Sequence, residues 1–594
     1  MNHKKTIVDA ILDFPNRTSN PIAVQFKKQE QWVVKSWLEY YQNLSQFGAA
    51  LLHLGLNKGE KVSIMSNTRY EWSVADAGIL ASGGVVVPVY TNSTSTEVEY
   101  ILNHSETKIL LIENDLGLRV WNQIRSQCPR VEKVIIIETR SALAEGYVTW
   151  NELLDIGSKI LETKPNFLTD QARQVSASDA ATIVYTSGTT GLPKGVLLTH
   201  TQIVSEVSEA FPLCGVSEKD VSLSFLPYAH VLGRVEHWGH QWLGFTMAYA
   251  ESIDQIRVNL KEIQPTILVA VPRIFEKIYS AIWAQMENQK LKAKAFDWAL
   301  KAGLAVGELK QTRSQMPLSL LAEFILADRL LLCRVRDAFG GKLKFCISGG
   351  APLSSDVALF FHACGVLILE GYGLTETTAA ICVNTPFNYK FGSVGRPIGD
   401  VEIKIAEDGE ILIKSKKVMK EYYKDPQATS STLHDGWFAT GDIGEILSGG
   451  HLKITDRKKD LIKTAGGKYV APQKLENLLK ISPLVSQVLI HGDQKKYIVA
   501  LITVDRLQVE RMAKENSWSF DQWQDLTQKH EVYEAVRRAL AETNSKLASF
   551  ETIKKFLIIP TEFTVEGGEL TPSLKIKRKH LDQKYHKEID SLYE

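Results

Sequence analysis

One loop of the sequence combines the residue types that bind phosphate. It lies in "TIVYTSGTTGLPKGVLLTH" (182–200), where β-branched and aromatic residues give way to small ones. Glycines let backbone N–H groups approach an anion closely, hydroxyls add donors, and Lys194 adds a compact positive charge. The candidate phosphate-binding residues are Thr186, Ser187, Gly188, Thr189, Thr190, Gly191 and Lys194. A Walker A loop is excluded, because that motif requires Gly-Lys-Ser/Thr and the lysine here stands between Pro193 and Gly195.

Two further apolar runs end in loops that could bind a nucleotide. The first is "KLKFCISGGAPLS" (342–354) and the second is "GVLILEGYGLTETT" (365–378). Their candidate residues are Gly350, Ala351, Tyr372, Gly373, Thr375 and Glu376. An aromatic ring such as Tyr372 can stack on a base, and a carboxylate such as Glu376 can hold Mg²⁺. Because ligands of open parallel sheets bind beyond the carboxyl ends of the strands, we expect these loops to converge.

The elements that must position these loops alternate along the chain. Short apolar runs such as "VVVPV", "TKILLI" and "KVIII" are separated by helical patterns, which predicts an α/β fold with helices flanking the sheets. After about residue 390 the pattern changes to short strands, which predicts a small β-barrel or antiparallel unit within the same domain. We therefore expect an N-terminal domain at 1–455, a charged hinge linker at 456–463, and a small mobile α+β domain at 464–594.

The bulk composition restricts the class of protein. With 594 residues, 44% hydrophobic and 23% charged, the chain is typical of a globular protein with at least two domains. A net charge of +1 gives no reason to expect a nucleic-acid partner. Six scattered cysteines without a CxxC spacing argue against a zinc site or a disulfide framework. We expect a cytoplasmic protein, because no apolar stretch reaches the roughly 20 residues of a membrane-spanning helix. We also expect a monomer or a homodimer.

Residues 285–340 differ from the rest of the chain. "MENQKLKAKAFDWALKAGLAVGELK" and "LSLLAEFILADRLLLCRVRDAF" predict two helices, of which the second is strongly apolar and carries Arg329, Arg334 and Arg336. The first interpretation is a helical insertion that packs on the domain. The alternative is peripheral contact with a membrane, at the inner membrane face, or a path for an apolar substrate.

Six motifs in a fixed order resemble one family. They are "YTSGTTGLPKG", "LPYAHVLGR" (226–234), "GYGLTET", "GWFATGD" (436–442), "DRKKDLIKTAGGKYVAP" (456–472) and "LTPSLKIKR" (570–578). The sequence resembles the adenylate-forming enzymes, which include acyl-CoA synthetases, the adenylation domains of peptide synthetases and firefly luciferase, from about residue 20 to 580. "VPRIFEKI" (271–278), the insertion and "LTPSLKIKR" are similar to the long-chain fatty-acid branch.

The resemblance implies a reaction in two steps that uses ATP, Mg²⁺ and coenzyme A. A fatty-acid carboxylate attacks the α-phosphate of ATP, which gives acyl-AMP and pyrophosphate, and the thiol of coenzyme A then displaces AMP. The loop Thr186–Lys194 would hold the β- and γ-phosphates, and Thr186 and Glu376 would lie near Mg²⁺. Gly350, Ala351 and Tyr372 would frame adenine, Thr375 would bond the α-phosphate, and Asp442, assisted by Arg457, would accept hydrogen bonds from the ribose hydroxyls.

The same resemblance assigns roles to residues that alternate between the two steps. Lys575 would bridge the carboxylate and the α-phosphate during adenylation, although Lys577 competes for this position. His230 would lie beside the acyl-adenylate. Lys459 would be the hinge about which the small domain rotates. Gly466 and Gly467 of "TAGGKY" would then replace Lys575 and admit the pantetheine arm of coenzyme A.

The resemblance leaves two functional alternatives open, and the sequence departs from the family at three positions. Acyl carrier protein could replace coenzyme A as acceptor, and a non-catalytic nucleotide-binding relative is disfavoured because the candidate catalytic residues are all present. Arg234 stands where some long-chain enzymes place a tryptophan gate. Ser415 and Glu421 stand where relatives often have glycines.

Overall fold

The first part of the chain builds most of one sheet and the helices that cover it. A computed structural model describes residues 4–141, 146–186, 192–284, 289–311 and 314–594. The first strands are β1 (Ile22–Lys28), β2 (Gln31–Ser36), β3 (Lys61–Met65), β4 (Val85–Val89), β5 (Thr107–Ile112), β6 (Lys133–Ile136), β7 (Tyr147–Thr149) and β8 (Ala180–Thr186). The helices between them are α1 (Ile7–Leu12), α2 (Trp37–His53), α3 (Tyr70–Ala81), α4 (Ser95–Ser105), α5 (Asp115–Ile124), α6 (Trp150–Thr163) and α7 (Phe167–Ala172).

The middle of the chain supplies the second sheet and the helical insertion. Its strands are β9 (Lys194–Thr199), β10 (Val221–Ser224), β11 (Thr246–Tyr249), β12 (Ile267–Ala270), β13 (Phe345–Ser348), β14 (Ile368–Leu374) and β15 (Ala379–Val383). Its helices are α8 (His200–Val207), α9 (Ala210–Leu213), α10 (Val231–Leu243), α11 (Ile256–Ile263), α12 (Pro272–Ala284), α13 (Lys290–Gln311), α14 (Leu318–Ala327), α15 (Cys333–Ala338) and α16 (Ser355–Ala363).

The last two parts are smaller. Residues 390–457 form β16 (Arg396–Pro397), β17 (Glu402–Ile405), β18 (Glu410–Lys414), β19 (Glu421–Tyr422), α17 (Pro426–Thr432), β20 (Leu433–His434), β21 (Trp437–Ile446) and β22 (Leu452–Arg457). Residues 458–594 form β23 (Ile462–Lys463), β24 (Tyr469–Val470), α18 (Pro472–Leu479), β25 (Val485–His491), β26 (Ile498–Val504), α19 (Arg506–Glu515), α20 (Trp523–Thr527), α21 (His530–Ser545), β27 (Ile553–Ile558), α22 (Arg578–Lys584) and α23 (His586–Ser591).

Two large sheets form the core of the N-terminal domain. One has the order β19-β9-β8-β4-β3-β5-β6-β7 and the other β16-β15-β14-β13-β12-β10-β11-β1-β2. Their inner strands pair in parallel, whereas the β8–β9 and β14–β15 pairs are antiparallel. All five residues of β4 are buried, as expected for a valine-rich strand covered on both faces. The predicted α/β fold is confirmed.

Local sequence signals explain where several helices begin. At α2, Ser36 accepts a hydrogen bond from the backbone of Glu39, whose carboxylate accepts one in return from the backbone of Ser36. The same reciprocal arrangement begins α4 at Thr94 and α6 at Thr149. These caps fix the beginnings of helices that pack against β1, β2 and β4–β7.

The insertion predicted at 285–340 is helical. It contains α13, which packs against α14 and α16, and a continuous run of α14, a π-helical turn at Asp328–Leu332 and α15. The second predicted helix is therefore one run interrupted by a π turn. None of the helices that the structure describes is both long enough and apolar enough to cross a membrane.

The third sheet and the C-terminal domain meet at a short turn. Strands β17, β18, β21 and β20 form an antiparallel sheet, and β22 pairs with β21. After β22, residues 458–460 form a turn that leads into the β23–β24 hairpin. The C-terminal domain has its own apolar core around the sheet β25-β26-β27.

Candidate active site

The β8–β9 hairpin brings Thr186 and Lys194 together. The two residues pair across the strands, and the Thr186 hydroxyl lies 3.4 Å from the Lys194 carbonyl oxygen. The Lys194 side chain is exposed to the cleft. The other candidates of this loop, Ser187, Gly188, Thr189, Thr190 and Gly191, lie outside the described residues.

Adjacent parallel strands carry the candidate adenine-binding residues. Gly350 and Ala351 follow β13, Tyr372 and Gly373 lie near the end of β14, and Thr375 and Glu376 form a 3₁₀ turn directly after it. Gly350 has φ of +80°, which favours glycine. A side chain at Gly373 would place its Cβ 1.4 Å from the Ala379 carbonyl oxygen, so only glycine fits the β14–β15 pair here.

The register of the third sheet pairs Asp442 with Arg457. The Arg457 Nε lies 3.2 Å from Asp442 Oδ1, and the Tyr372 hydroxyl donates a 2.6 Å hydrogen bond to Asp442 Oδ2. Burial raises the pKa of Asp442, while Arg457, Tyr372 and Lys575 oppose that rise. The side chain of Asp442 thus joins the third sheet to the aromatic ring at the end of β14.

The C-terminal domain contributes Lys575 to this cluster. Desolvation and repulsion from Arg457 lower the pKa of Lys575, whereas Asp442 and Glu376 raise it, so all three groups act on the ammonium. The residue itself is exposed to solvent. The loop that carries it is fixed by Asn92, whose amide donates to the Pro572 carbonyl at 3.1 Å. Lys577 is the N-cap residue of α22, and its backbone N–H donates to the Glu569 carbonyl.

His230 is the N-cap residue of α10 and lies near enough to Lys575 for the lysine charge to act on its ring. Its Nδ1 accepts a 3.2 Å hydrogen bond from the backbone of Leu232. Burial, together with the nearby charge of Lys575, lowers the pKa of His230 to about 4. The ring is therefore neutral at pH 7, with its proton on Nε2.

Arg234 does not lie at the surface of a tunnel entrance. It is fully buried, its Nη2 lies 2.7 Å from Asp76 Oδ1, and its guanidinium packs against the rings of Trp72 and Trp238. His237 contacts the other oxygen of the same carboxylate at 3.1 Å. At the position where some long-chain enzymes place a tryptophan gate, this chain has a buried ion pair.

Three candidates are not brought to the cleft. Lys459 is exposed in the turn 458–460, and Gly466 and Gly467 are exposed in the turn between β23 and β24. That turn is bonded within the C-terminal domain, where the backbone N–H of Ala465 donates to the Lys495 carbonyl. In this arrangement the domain presents Lys575, and not its glycine turn, to the cluster around Asp442.

The sequence analysis missed Tyr422. Its hydroxyl donates a 2.8 Å hydrogen bond to Glu376 Oε1, and its ring lies 4.9 Å from the Lys194 ammonium. Burial and the neighbouring carboxylate raise the pKa of Tyr422, so its hydroxyl remains a donor. The available signal was the aromatic pair in "EYYKDP", where only the absence of glycine at Glu421 was noted.

The donor set fits a cation that is shared with phosphate. Thr186 and Glu376 supply two oxygens, and Lys194 supplies a positive charge next to them. Within the described ranges, no three His, Cys, Asp or Glu side chains form a metal-binding group. Mg²⁺ is usually bound by one or two carboxylates together with substrate phosphates rather than by an all-protein cage, so these residues fit a nucleotide-bound Mg²⁺.

Comparisons with known proteins cover nearly the whole chain. The sequence profile of the AMP-binding enzymes matches residues 13–423, and that of the AMP-binding enzyme C-terminal domain matches residues 459–594. The chain is 35% identical to long-chain-fatty-acid–CoA ligase FadD15 of Mycobacterium bovis, over 95% of this chain and 92% of that protein. It is 32% identical to fatty acyl-CoA synthetase A of Dictyostelium discoideum, over 94% and 86%. Its fold is similar to the anthranilate CoA ligase AuaEII in complex with anthranoyl-AMP, with a TM-score of 0.73, 20% identity and 98% of each chain covered.

Proposed function

The chain belongs to the AMP-binding enzyme family, and from that membership we propose that it activates a medium- to long-chain fatty acid with ATP and transfers the acyl group to coenzyme A. The observation that carries this proposal is the bonding of Asp442 to both Arg457 and Tyr372, with Lys575 near enough for its charge to act on the same carboxylate. The names of the curated relatives support a long-chain fatty acid as substrate. A carboxylate is a poor acyl donor, and attack on the α-phosphate of ATP converts it into an acyl-AMP with a good leaving group.

The nucleotide is bound by groups from three sheets. Asp442 accepts hydrogen bonds from the ribose hydroxyls, and Arg457 keeps its carboxylate charged and oriented. Gly350, Ala351 and Tyr372 frame the adenine, and Thr375 bonds the α-phosphate. The loop Thr186–Lys194 holds the β- and γ-phosphates, and Thr186 and Glu376 would hold Mg²⁺, which would supply positive charge against the phosphates.

Lys575 serves the first step. The attacking carboxylate and the α-phosphate are both negative, so the cleft must supply positive charge where they meet. Lys575 bridges them, because its ammonium already lies among the groups assigned to the ribose and the metal. His230 lies beside the acyl group and, being neutral, adds no charge of its own.

The second step requires a different arrangement of the C-terminal domain. We infer that the domain rotates about Lys459 in the turn 458–460, which removes Lys575 from the cleft. Gly466 and Gly467 then line the path of the pantetheine arm, where the absence of side chains allows close approach. Their exposed position in the present arrangement leaves them free to do so.

The test follows each half of the reaction separately. The purified protein is incubated with ATP, Mg²⁺ and fatty acids from octanoate to oleate, with and without coenzyme A, and acyl-AMP, acyl-CoA and AMP are followed by mass spectrometry. We expect acyl-CoA and AMP, and we expect Lys575→Ala to lose acyl-AMP formation while Lys577→Ala keeps it. Acyl-AMP that accumulates and does not react with coenzyme A would point to acyl carrier protein, and no turnover with any acid would refute the fatty-acid assignment.

A surface of the insertion supports peripheral contact with a membrane. Leu318, Ile325, Leu326 and Leu330, on α14 and the π turn, are between 52% and 83% exposed. Arg329 and Arg334 are exposed on the same run of helix. We propose that these residues, the α14 surface, contact anionic lipid and help the enzyme to take up an apolar substrate, since apolar and basic side chains together bind such membranes.

Vesicle binding tests the α14 surface. Vesicles containing anionic lipid should sediment the wild-type protein and retain little of an L318D/I325D variant. Leu507→Asp is the matched control, because Leu507 is 75% exposed on α19 of the C-terminal domain. Equal binding of both variants would refute the contact, and turnover of octanoate in solution shows independently that the enzyme is intact.

A further inference from the structure

Tyr422 contacts both the candidate metal ligand and the candidate phosphate-binding lysine. Its side chain is only 6% exposed, its hydroxyl donates to Glu376 Oε1 at 2.8 Å, and its ring lies under the ammonium of Lys194 at 4.9 Å. Glu376 and Lys194 come from different sheets. Tyr422 therefore joins two groups that must be correctly placed relative to each other if both act on the same polyphosphate.

The backbone around Tyr422 is bonded to both partners as well. β19 pairs with β9, so that Tyr422 lies opposite Val196, and the Tyr423 N–H donates to the Gly195 carbonyl at 2.7 Å. The Met419 N–H donates to the Glu376 carbonyl, also at 2.7 Å. Residues 419–423 thus hold the lysine strand on one side and the glutamate turn on the other. Small movements of Tyr422 relative to either partner are restricted.

We propose that Tyr422 is a positioning residue that fixes the Glu376 carboxylate for the Mg²⁺ of bound ATP; this rests on the function proposed above. The Tyr422 hydroxyl donates its hydrogen bond to Glu376 Oε1. Among the described residues, no other side chain donates a hydrogen bond to this carboxylate. One oxygen is fixed and the other remains available to a cation. Hydrogen bonds of this kind orient metal-binding carboxylates, and their removal typically weakens metal affinity by about 10- to 100-fold.

The ring of Tyr422 has a separate effect on Lys194. An ammonium above the face of a tyrosine ring is attracted by the ring quadrupole. This contact holds Lys194 over the ring without using its hydrogen-bond donors, which remain available for phosphate. Hydroxyl and ring therefore act on different groups, and two substitutions separate them.

Tyr422→Phe removes the hydroxyl and keeps the ring. The matched control is Tyr423→Phe. The hydroxyl of this neighbouring tyrosine donates to Glu106 at 3.3 Å and not to Glu376. Mn²⁺ replaces Mg²⁺ as the probe, and its binding to the enzyme with the unreactive α,β-methylene analogue of ATP is measured by electron paramagnetic resonance. Thermal unfolding and the KM for the fatty acid are measured on the same proteins.

We expect Tyr422→Phe to weaken Mn²⁺ affinity by at least about tenfold, as loss of an outer-shell partner does, with no change in the melting temperature or in the KM for the fatty acid. Tyr422→Leu should in addition weaken binding of the nucleotide without metal, because the contact with Lys194 is lost. Mn²⁺ affinity equal to that of Tyr423→Phe, in an enzyme that still makes acyl-CoA, overturns the positioning role and leaves the proposed function intact. A wild-type protein that binds no Mn²⁺ with the nucleotide overturns both.

Discussion

Arg234 shows how the position of a residue in a motif can suggest a role that its surroundings in the structure do not support. In the motif "LPYAHVLGR" its position matches a gate, yet the side chain is fully buried against Trp72 and Trp238 and paired with Asp76. An arginine without its partner would be very unfavourable in this environment, because a buried charge needs a compensating charge or hydrogen bonds. The pair therefore stabilises the junction of α3 and α10 only as a unit.

We predict that Arg234→Ala lowers the free energy of unfolding of the N-terminal domain by about 3–5 kcal/mol, since it leaves the Asp76 charge buried without its main partner. Denaturant unfolding followed by tryptophan fluorescence measures this loss. Arg334→Ala, at an exposed arginine, is the control. In the Arg234→Ala/Asp76→Ala double variant the loss should be smaller than the sum of the two single losses, and strict additivity would contradict direct coupling.

At the residue scale, the sequence predicts those site residues whose roles are contained in a local motif. Asp442, Arg457, Tyr372 and Glu376 all lie in such motifs, and the structure brings them to one cleft with Lys575. The contact between Tyr422 and Glu376 spans 46 residues, and that between Arg234 and Asp76 spans 158. Contacts at such separations depend on how whole elements pack, and a local pattern of side chains does not determine them.

At the element scale, the β14–β15 pair is the most restricted part of the site. Gly373 lies at an irregularity in its register, and Thr378 and Ala379 have φ of +57° and +83°. This unfavourable backbone is held by neighbours, for example by the Thr378 hydroxyl, which donates to the Lys417 carbonyl at 2.7 Å. The turn that carries Thr375 and Glu376 therefore depends on close backbone contact between the two strands.

We predict that Gly373→Ala destabilises the N-terminal domain by more than about 2 kcal/mol, because overpacking of a filled site costs about 1–3 kcal/mol or more and the new Cβ would lie 1.4 Å from the Ala379 oxygen. Gly371→Ala is the control, since its Cβ would lie 3.5 Å from the Cys382 oxygen, an ordinary contact. Thermal unfolding and nucleotide binding are measured on both. Equal stability of the two variants would show that the strands separate more easily than the geometry indicates.

Strands and helices of this chain are predicted well because their signals are local. The apolar runs became β4, β5 and β6, and the helical pattern between the first two became α4, which begins with a capping box. The π turn between α14 and α15 was not predicted, because "LLL" has the same apolar pattern in an α-helix. The order of the strands in each sheet could not be predicted from local sequence patterns either, because it depends on pairings between distant strands such as β1 and β11.

At the scale of the whole molecule, two polar contacts among the described residues help to hold the C-terminal domain where Lys575 lies near Asp442. The Asn92 amide donates to the Pro572 carbonyl, and Lys546 forms an exposed ion pair with Asp356 at 3.3 Å. An exposed pair of this kind contributes little to stability. Contacts of this strength suit the rotation proposed above, because neither arrangement would then be too stable to leave.

We predict that Asn92→Ala shifts this balance away from the arrangement described here. A single hydrogen bond contributes about 0.5–1.5 kcal/mol, so the equilibrium constant for the arrangement that presents Lys575 should fall by roughly two- to tenfold. Rapid-quench measurements without coenzyme A should show acyl-AMP formation slowed by up to that factor, whereas formation of acyl-CoA from preformed acyl-AMP should not slow. Asn103→Ala is the matched control, because the Asn103 amide also donates to a backbone carbonyl, that of Gln127, but within the N-terminal domain. If both half-reactions slowed equally in Asn92→Ala, the contact would stabilise the site as a whole and would not favour one domain arrangement over the other.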